Sequence, residues 1–302
     1  MAPTPPEPAT VSWRTFVTEA DRRLRSAGID SAEIDARRIV EQASGHFGAA
    51  FFRGLDELAT EKAVRHFDQM IERRVRGEPL QYVLGEWSFR TLDLMVDPRV
   101  LIPRPETEIV VERALAELDR LAVMLAESES PRQLRVADLG TGSGAIALSV
   151  AAERRNADVW ATDVSPDALA VARANLAGIG QAAVRVHLRS GSWFAALPPE
   201  LREGFDLIIS NPPYVAAADP LPAEVRDWEP AIALVSGPSG LESLEALVDG
   251  APDWLQPFGT LVLELAPDQA PAVAARARRI FTTAEFDRDL TGRDRMVIAR
   301  RV

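Results

Sequence analysis

Across 302 residues, 47% hydrophobic composition is enough for a sizeable core, and the length predicts about two domains. The absence of cysteine rules out disulfides, thiol nucleophiles and thiolate-ligated zinc or iron–sulfur sites, while His46, His66 and His187 lie too far apart in sequence to suggest a metal site. A net charge of −11 argues against a broad electrostatic hold on nucleic acid, whose affinity comes from clustered Lys and Arg.

Met1 to Thr10 is Pro-rich and has neither a basic start nor an apolar run, which speaks against a signal peptide. Residues 11–76 then read as helical. Trp13, Phe16, Val17, Ala20 and Leu24 fall on one face, and Gly28 ends the run. Asp30 and Glu33 read as a capping box opening a second helix, which carries Ile34, Ala36, Ile39 and Val40 and stops at Gly45. A third helix is predicted from about Glu57 to Arg76, with Ala63, Phe67, Met70 and Ile71 as its apolar stripe. Arg73, Arg74 and Arg76 form the densest basic cluster, read as a solvated helix face. Residues 1–85 carry 12 basic and 13 acidic side chains, so nearly all of the charge deficit falls on the remainder. They predict a small helical domain.

Residues 86–102 change to alternation, with Trp87, Phe89, Leu92, Leu94 and Val96 apolar, which predicts a β-hairpin. Residues 86–105 are read as the segment joining two domains. Glu106 to Ser128 returns to helical spacing, and Glu127 to Gln133 is a polar break. The longest nearly apolar stretch, Ala145 to Ala152, is far short of the ~20 residues a membrane span needs, so a cytoplasmic protein without a membrane partner is expected.

From Leu134 onward, short apolar runs at 134–139, 158–162, 184–188, 206–210 and 259–264 alternate with helical stretches such as 166–177 and 240–255. Continuous apolar runs are the mark of parallel strands buried on both faces. With two further candidates at 279–286 and 295–301, residues 106–302 predict an open, doubly wound α/β sheet of about seven strands.

The first of these runs leads into DLGTGSGAIAL, residues 138–148. Gly140, Gly142 and Gly144 allow a tight turn and close approach of backbone to a ligand. The helix that follows aims free N–H groups at the turn. Asp163, at the end of the next strand, can accept from both ribose hydroxyls of a nucleoside, or else cap the helix that starts near Ser165. Trp193 lies on the same rim, where it can stack on adenine or simply pack into the core. Gly140, Gly142 and Ala145 also satisfy a dinucleotide fingerprint, so at this point a dehydrogenase remains open.

Asn211-Pro212-Pro213-Tyr214, directly after the strand DLIIS, narrows the choice. Two prolines remove two backbone donors and fix two φ angles, giving a stiff turn. The Asn211 side-chain oxygen and the Pro212 carbonyl can accept from both hydrogens of an NH₂ group, and Tyr214 can lie against its plane. Acceptors on both hydrogens aim the lone pair of an otherwise delocalised nitrogen at an electrophile. A dehydrogenase has no use for this, whereas an amide or a ring-amino substrate does. The plain alternative is a polar turn with an aromatic plug.

The chain resembles the release factor glutamine methyltransferases, the PrmC/HemK family, over nearly its whole length. RVRGEPLQYVLGEWSF (74–89), VLIPRPETE (100–108), DLGTGSGAIAL, ISNPPYV (209–215), EVRDWEPAIAL (224–234) and the terminal Asp289, Gly292, Arg295 pattern carry the likeness. It implies a class I, Rossmann-like methyltransferase fold that binds S-adenosylmethionine in the loop Gly140, Thr141, Gly142, Ser143, Gly144. Asp163 would then sit on the ribose and Trp193 beside adenine, with Asn211 also touching the cofactor, and Asn211 to Tyr214, Pro213 included, would surround a substrate glutamine. The partner implied is a bacterial class 1 release factor, methylated at the glutamine of its Gly-Gly-Gln tripeptide, with the helical domain helping to dock it. Ser192 stands where many relatives have an acid, which removes an acceptor for the adenine amino group, and Ala266 stands where glycine is usual. The rival reading is an amino-methyltransferase of adenine or guanine in nucleic acid, which the acidic balance disfavours. A binding protein without turnover is a third. Glu106, Thr107 and Glu108 either serve a helix start or, through Thr107, reach the methionine end of the cofactor.

Overall fold

The computed structural model describes residues 11–126 and 132–301. The Pro-rich start and most of the polar break at 127–133 lie outside the described residues. Contacts divide the chain into two compact units, Met1–Gly85 and Glu86–Val302.

The first unit is helical: α1 (Trp13–Ser26), α2 (Ala32–Ser44), α3 (Ala49–Gly54), α4 (Glu61–Val75) and α5 (Leu80–Leu84). Trp13, Phe16, Ala20 and Leu24 of α1 are buried at helical spacing against Ala36, Ile39 and Val40 of α2 and Phe67, Met70 and Ile71 of α4. Gly45, at φ +71, turns the chain out of α2. The capping box does not form: α2 starts at Ala32, and its N-cap Ser31 makes no side-chain bond. A tight turn, with Ile29 N–H bonded to the Leu24 carbonyl and Ala32 N–H to the Ile29 carbonyl, leaves Asp30 one residue too early to cap. The third predicted helix starts at Glu61 instead of Glu57, because Thr60 caps it by accepting from Ala63 N–H at 3.3 Å.

The arginine cluster is only in part a solvated face: Arg76 is exposed, Arg73 half-buried and Arg74 buried. Arg74 is buried and donates to Asp35 at 2.6 Å, while Arg73 clasps Glu78 at 2.8 Å and donates to the carbonyls of Tyr82 and Val83. Arg76 stands 3.6 Å from Glu72 one turn back. The charges of Arg73 and Arg74 are paired inside the unit, while Arg76 stays largely exposed.

The second unit opens with a hairpin, β1 (Glu86–Phe89) and β2 (Leu92–Met95), then α6 (Pro105–Ala126). There follow β3 (Leu134–Leu139), α7 (Ala145–Glu153), β4 (Ala157–Asp163), α8 (Pro166–Gly178), β5 (Val186–Ser190), β6 (Phe205–Ser210), β7 (Val215–Ala216), α9 (Ala223–Trp228), β8 (Val235–Gly237), α10 (Glu242–Gly250), β9 (Leu255–Glu264), α11 (Ala270–Ala277), β10 (Thr283–Arg288) and β11 (Asp294–Arg300). The expected helix over 240–255 is cut to Glu242–Gly250, and a one-turn 3₁₀ segment containing Pro252 leads directly into β9. The short parallel ladder of β7 with β8 was not foreseen; two strands of two and three residues leave no periodicity to read.

Seven strands form one sheet in the order β10-β11-β9-β6-β3-β4-β5. β3, β4, β5, β6 and β9 run parallel, and β11 is antiparallel to both of its neighbours. Alternate residues point to opposite faces. Val136, Val159, Leu207 and Ile209 pack on one face with α6 and α7, and Ala137, Leu139, Ile208 and Leu261 on the other with α10 and α11. Burial of both faces is why these strands read as unbroken apolar runs.

Candidate active site

The connections after β3 lead outward through β4 and β5 on one side, whereas β6 lies on the other side of β3. Such a switch point leaves a crevice beyond the carboxyl ends of the strands. A cavity of ≈ 260 Å³ occupies it. Gly140, Thr141, Gly142, Ser143, Asp163, Trp193 and Asn211, all singled out from sequence, line it together with Pro213.

The glycine loop takes backbone angles that side chains resist: φ is +80 at Gly140 and +88 at Gly144. A Cβ at Gly140 would stand 3.3 Å from the Trp193 ring, so the loop and the indole are in close packing. At Gly144 a Cβ would meet Leu148 at 2.9 Å and Ala172 at 3.6 Å. Gly144 therefore serves the packing of α7, and it is not among the cavity-lining residues. Gly140 N–H and Thr141 N–H both donate to the Thr162 carbonyl, at 2.9 and 2.8 Å, which ties the loop to the end of β4.

Two carboxyls brace this loop. Asp138 is fully buried and accepts from the Thr141 hydroxyl at 2.6 Å and Ala147 N–H at 3.1 Å; burial pushes its pKa up to about 7. Asp163 accepts from Gly142 N–H at 2.9 Å and Ser165 N–H at 2.8 Å, and burial raises its pKa against these bonds. Ser165, not Asp163, caps α8, by accepting from Ala168 N–H at 3.1 Å. The Asp163 carboxylate instead faces the cavity with lone pairs to spare. Trp193 holds φ +44, an uncommon angle for a side-chain-bearing residue, and so its ring is aimed by a strained turn.

The Asn211–Tyr214 corner is pinned from several directions. Ser210 donates to the Leu139 carbonyl at 2.5 Å; Gln269 donates to the Tyr214 carbonyl at 2.8 Å; Val215 N–H donates to the Leu234 carbonyl at 3.0 Å. Pro212 is buried and, like Tyr214, is not among the lining residues; Asn211 and Pro213 are. Burial pushes the Tyr214 phenol up to about 12, so it stays protonated. Asn211 Nδ2 donates to the Thr107 hydroxyl at 3.1 Å, and that hydroxyl donates to Glu264 at 2.7 Å. Thr107 lines the cavity, but its place beside Asn211 and the role of Glu264 were not legible: Glu264 lies 157 positions away, in what reads as a plain buried strand.

Sequence reasoning also left Arg99, Val100, Leu101 and Pro103, and Pro230, Ile232 and Ala233, without a role; all line the cavity. Glu229 joins their two segments, accepting from Arg104 at 2.5 Å and from Ile102 N–H at 3.2 Å. The motifs VLIPRPETE and EVRDWEPAIAL were the available signal. The Asp289, Gly292, Arg295 pattern is a turn lock: Asp289 accepts from Arg295 at 3.1 Å and from the Thr291 hydroxyl at 2.6 Å, and Gly292 takes φ +83.

A doubly wound seven-stranded sheet with one reversed strand, a glycine loop after its first parallel strand and an acid after its second define the class I methyltransferases. Comparison with known proteins agrees. The PrmC N-terminal domain matches residues 16–85, and the methyltransferase small domain matches residues 114–223. A release factor glutamine methyltransferase from Deinococcus radiodurans is 43% identical over 95% of this chain and 98% of its own length. Relatives of the same name from Moorella thermoacetica and Xylella fastidiosa are 41% and 42% identical, over 96% and 97% of this chain and 99% and 98% of theirs. The chain belongs to the release factor glutamine methyltransferase family.

Proposed function

We propose that the protein transfers a methyl group from S-adenosylmethionine to the side-chain amide nitrogen of a glutamine in a peptide chain release factor, the glutamine of its Gly-Gly-Gln tripeptide. The observation that carries this reading is the braced Asn211–Tyr214 corner, which brings Asn211 to the same cavity as the glycine loop.

The lining suits the cofactor. The Asp163 carboxylate has lone pairs for ribose hydroxyls, the Trp193 ring and the half-exposed Val164 offer apolar faces to a base, and Gly142 has no neighbour within 4 Å of where a Cβ would stand. When bound, S-adenosylmethionine supplies an electrophilic methyl group on a sulfonium. Asn211 Oδ1 and the Pro212 carbonyl hold the two amide hydrogens of the substrate, and the Tyr214 ring backs the amide plane. Held this way, the nitrogen lone pair is turned from the carbonyl toward the methyl carbon, and positioning of this kind is worth roughly 7–11 kcal/mol of barrier. The methylated nitrogen is strongly acidic and releases its proton to solvent, so no dedicated base is required. Docking of the protein partner is assigned to the helical unit of residues 1–85.

Purified protein, methyl-labelled cofactor and a release factor test this directly. Label is expected on the release factor and absent when its Gly-Gly-Gln glutamine is replaced by alanine. Label persisting on the alanine form, or transfer to naked RNA that falls steeply with salt, would refute the assignment.

A further inference from the structure

The amide of Asn211 is ambiguous by itself: its oxygen and its NH₂ group are nearly the same shape, and only one orientation presents an acceptor to a substrate N–H. Something has to choose. From the geometry we infer that Thr107 and Glu264 form a two-bond relay that fixes which end of the Asn211 amide faces the substrate, making both of them positioning residues for methyl transfer. The inference rests on the glutamine-methylation reading above.

The chemistry of the three groups sets the polarity. An ionised Glu264 carboxylate has no hydrogen to give, so at 2.7 Å the Thr107 hydroxyl must be the donor. A hydroxyl has one hydrogen. Once it is committed to Glu264, the oxygen can only accept, and the partner 3.1 Å away on Asn211 must be the NH₂ group. The Asn211 oxygen is thereby turned the other way, on a side chain that lines the cavity. Both Thr107 and Glu264 are buried, at 3% and 1% exposure, so water does not compete for these bonds and the preference for one orientation is strong.

The relay also accounts for its scattered origins. Thr107 sits in the first turn of α6, Glu264 is the last residue of β9, and Asn211 follows β6, which pairs with β9. Three separate elements converge on one amide. The charged and titratable groups that act on Glu264 from around it are Arg295, Glu106 and Arg104, with Tyr214 close enough to feel its charge.

The test is single-turnover transfer to a release factor at about pH 8.5, where a carboxyl of pKa about 7 is ionised, alongside cofactor binding. Thr107→Val keeps the shape and removes the hydroxyl. Its transfer rate is expected to fall about tenfold to a hundredfold while cofactor Kd changes less than about threefold; Thr107→Ser is expected to stay near wild type. On an Asn211→Ala background, Thr107→Val should cost nothing further, because the amide that it orients is gone. A full rate in Thr107→Val, a Thr107→Ser variant as slow as Thr107→Val, or additive losses in the double variant would each overturn the relay. Should Thr107→Val not fold, Thr107→Ala, which cannot crowd the site, carries the same expectations. Absence of transfer by the wild-type protein would instead defeat the glutamine-methylation reading itself.

Discussion

At the scale of single residues, the site places two carboxyls where solvent cannot reach them, and each is costly once ionised. Burial pushes Glu264 up to about 7 from an ordinary value near 4.5. Between those pH values the folded chain keeps a proton that the unfolded chain has already released. Stability therefore falls as pH rises from about 4.5 toward 7, the sign opposite to that of a salt-bridged carboxylate. Glu264→Gln removes this penalty. Calorimetry should show the variant gaining Tm over wild type at about pH 8 and losing most of that gain at about pH 5; a gain equal at both would contradict the buried charge. Tyr214 is a different case. Its phenol, raised to about 12, is neutral throughout the working range, so its ring and not its hydroxyl is assigned the task. Tyr214→Phe is expected to keep the rate within about threefold, and Tyr214→Ala to lose about tenfold or more, in single-turnover assays.

At the scale of elements, the site is assembled by long-range ties that a sequence does not display. Asn175 of α8 donates to the Ser143 carbonyl at 2.9 Å and the Met95 carbonyl at 3.0 Å, and accepts from Met95 N–H at 2.7 Å. One buried side chain thus fastens the glycine loop to the hairpin. Asn175→Ala leaves these groups unmatched and should lower unfolding free energy by about 2 kcal/mol in denaturant titration, with weaker cofactor binding as the loop loosens. Unchanged cofactor affinity would show that the tie does not matter to the loop. Gly140→Ala forces a side chain into φ +80 and against Trp193 at 3.3 Å, so it too should weaken cofactor binding.

The parallel strands, the glycine loop and the Asn211–Tyr214 corner were legible in sequence because each is local: an apolar run, a spacing, a double proline. α3 and α5 were missed because a single turn of helix has no period to detect. Thr107, Asn211 and Glu264, although each stands in a readable segment, come together only through strand order. Asp30 misled because it carries the right chemistry one residue early, and the arginines at 73 and 74 because charge in a sequence does not say which way it faces.

At the scale of the molecule, the charge argument is sharpened by where the cations go. Two of the three arginines in the densest basic cluster, Arg73 and Arg74, are taken up by Asp35, Glu78 and backbone carbonyls, which leaves a protein of net charge −11 little of it for phosphate. Among the described residues no helix is long and apolar enough to cross a membrane. Transfer to a release factor should accordingly change less than about threefold between low and physiological salt, measured as initial rate; a slope like that of phosphate binding would point back to nucleic acid.

The most direct measurement is the single-turnover rate of Asn211→Ala beside its cofactor Kd. The rate is expected to fall by about a hundredfold or more with Kd within about threefold of wild type, because the lost group holds the substrate amide and not the nucleoside. A rate within about threefold of wild type would contradict the assignment of that corner to the chemistry.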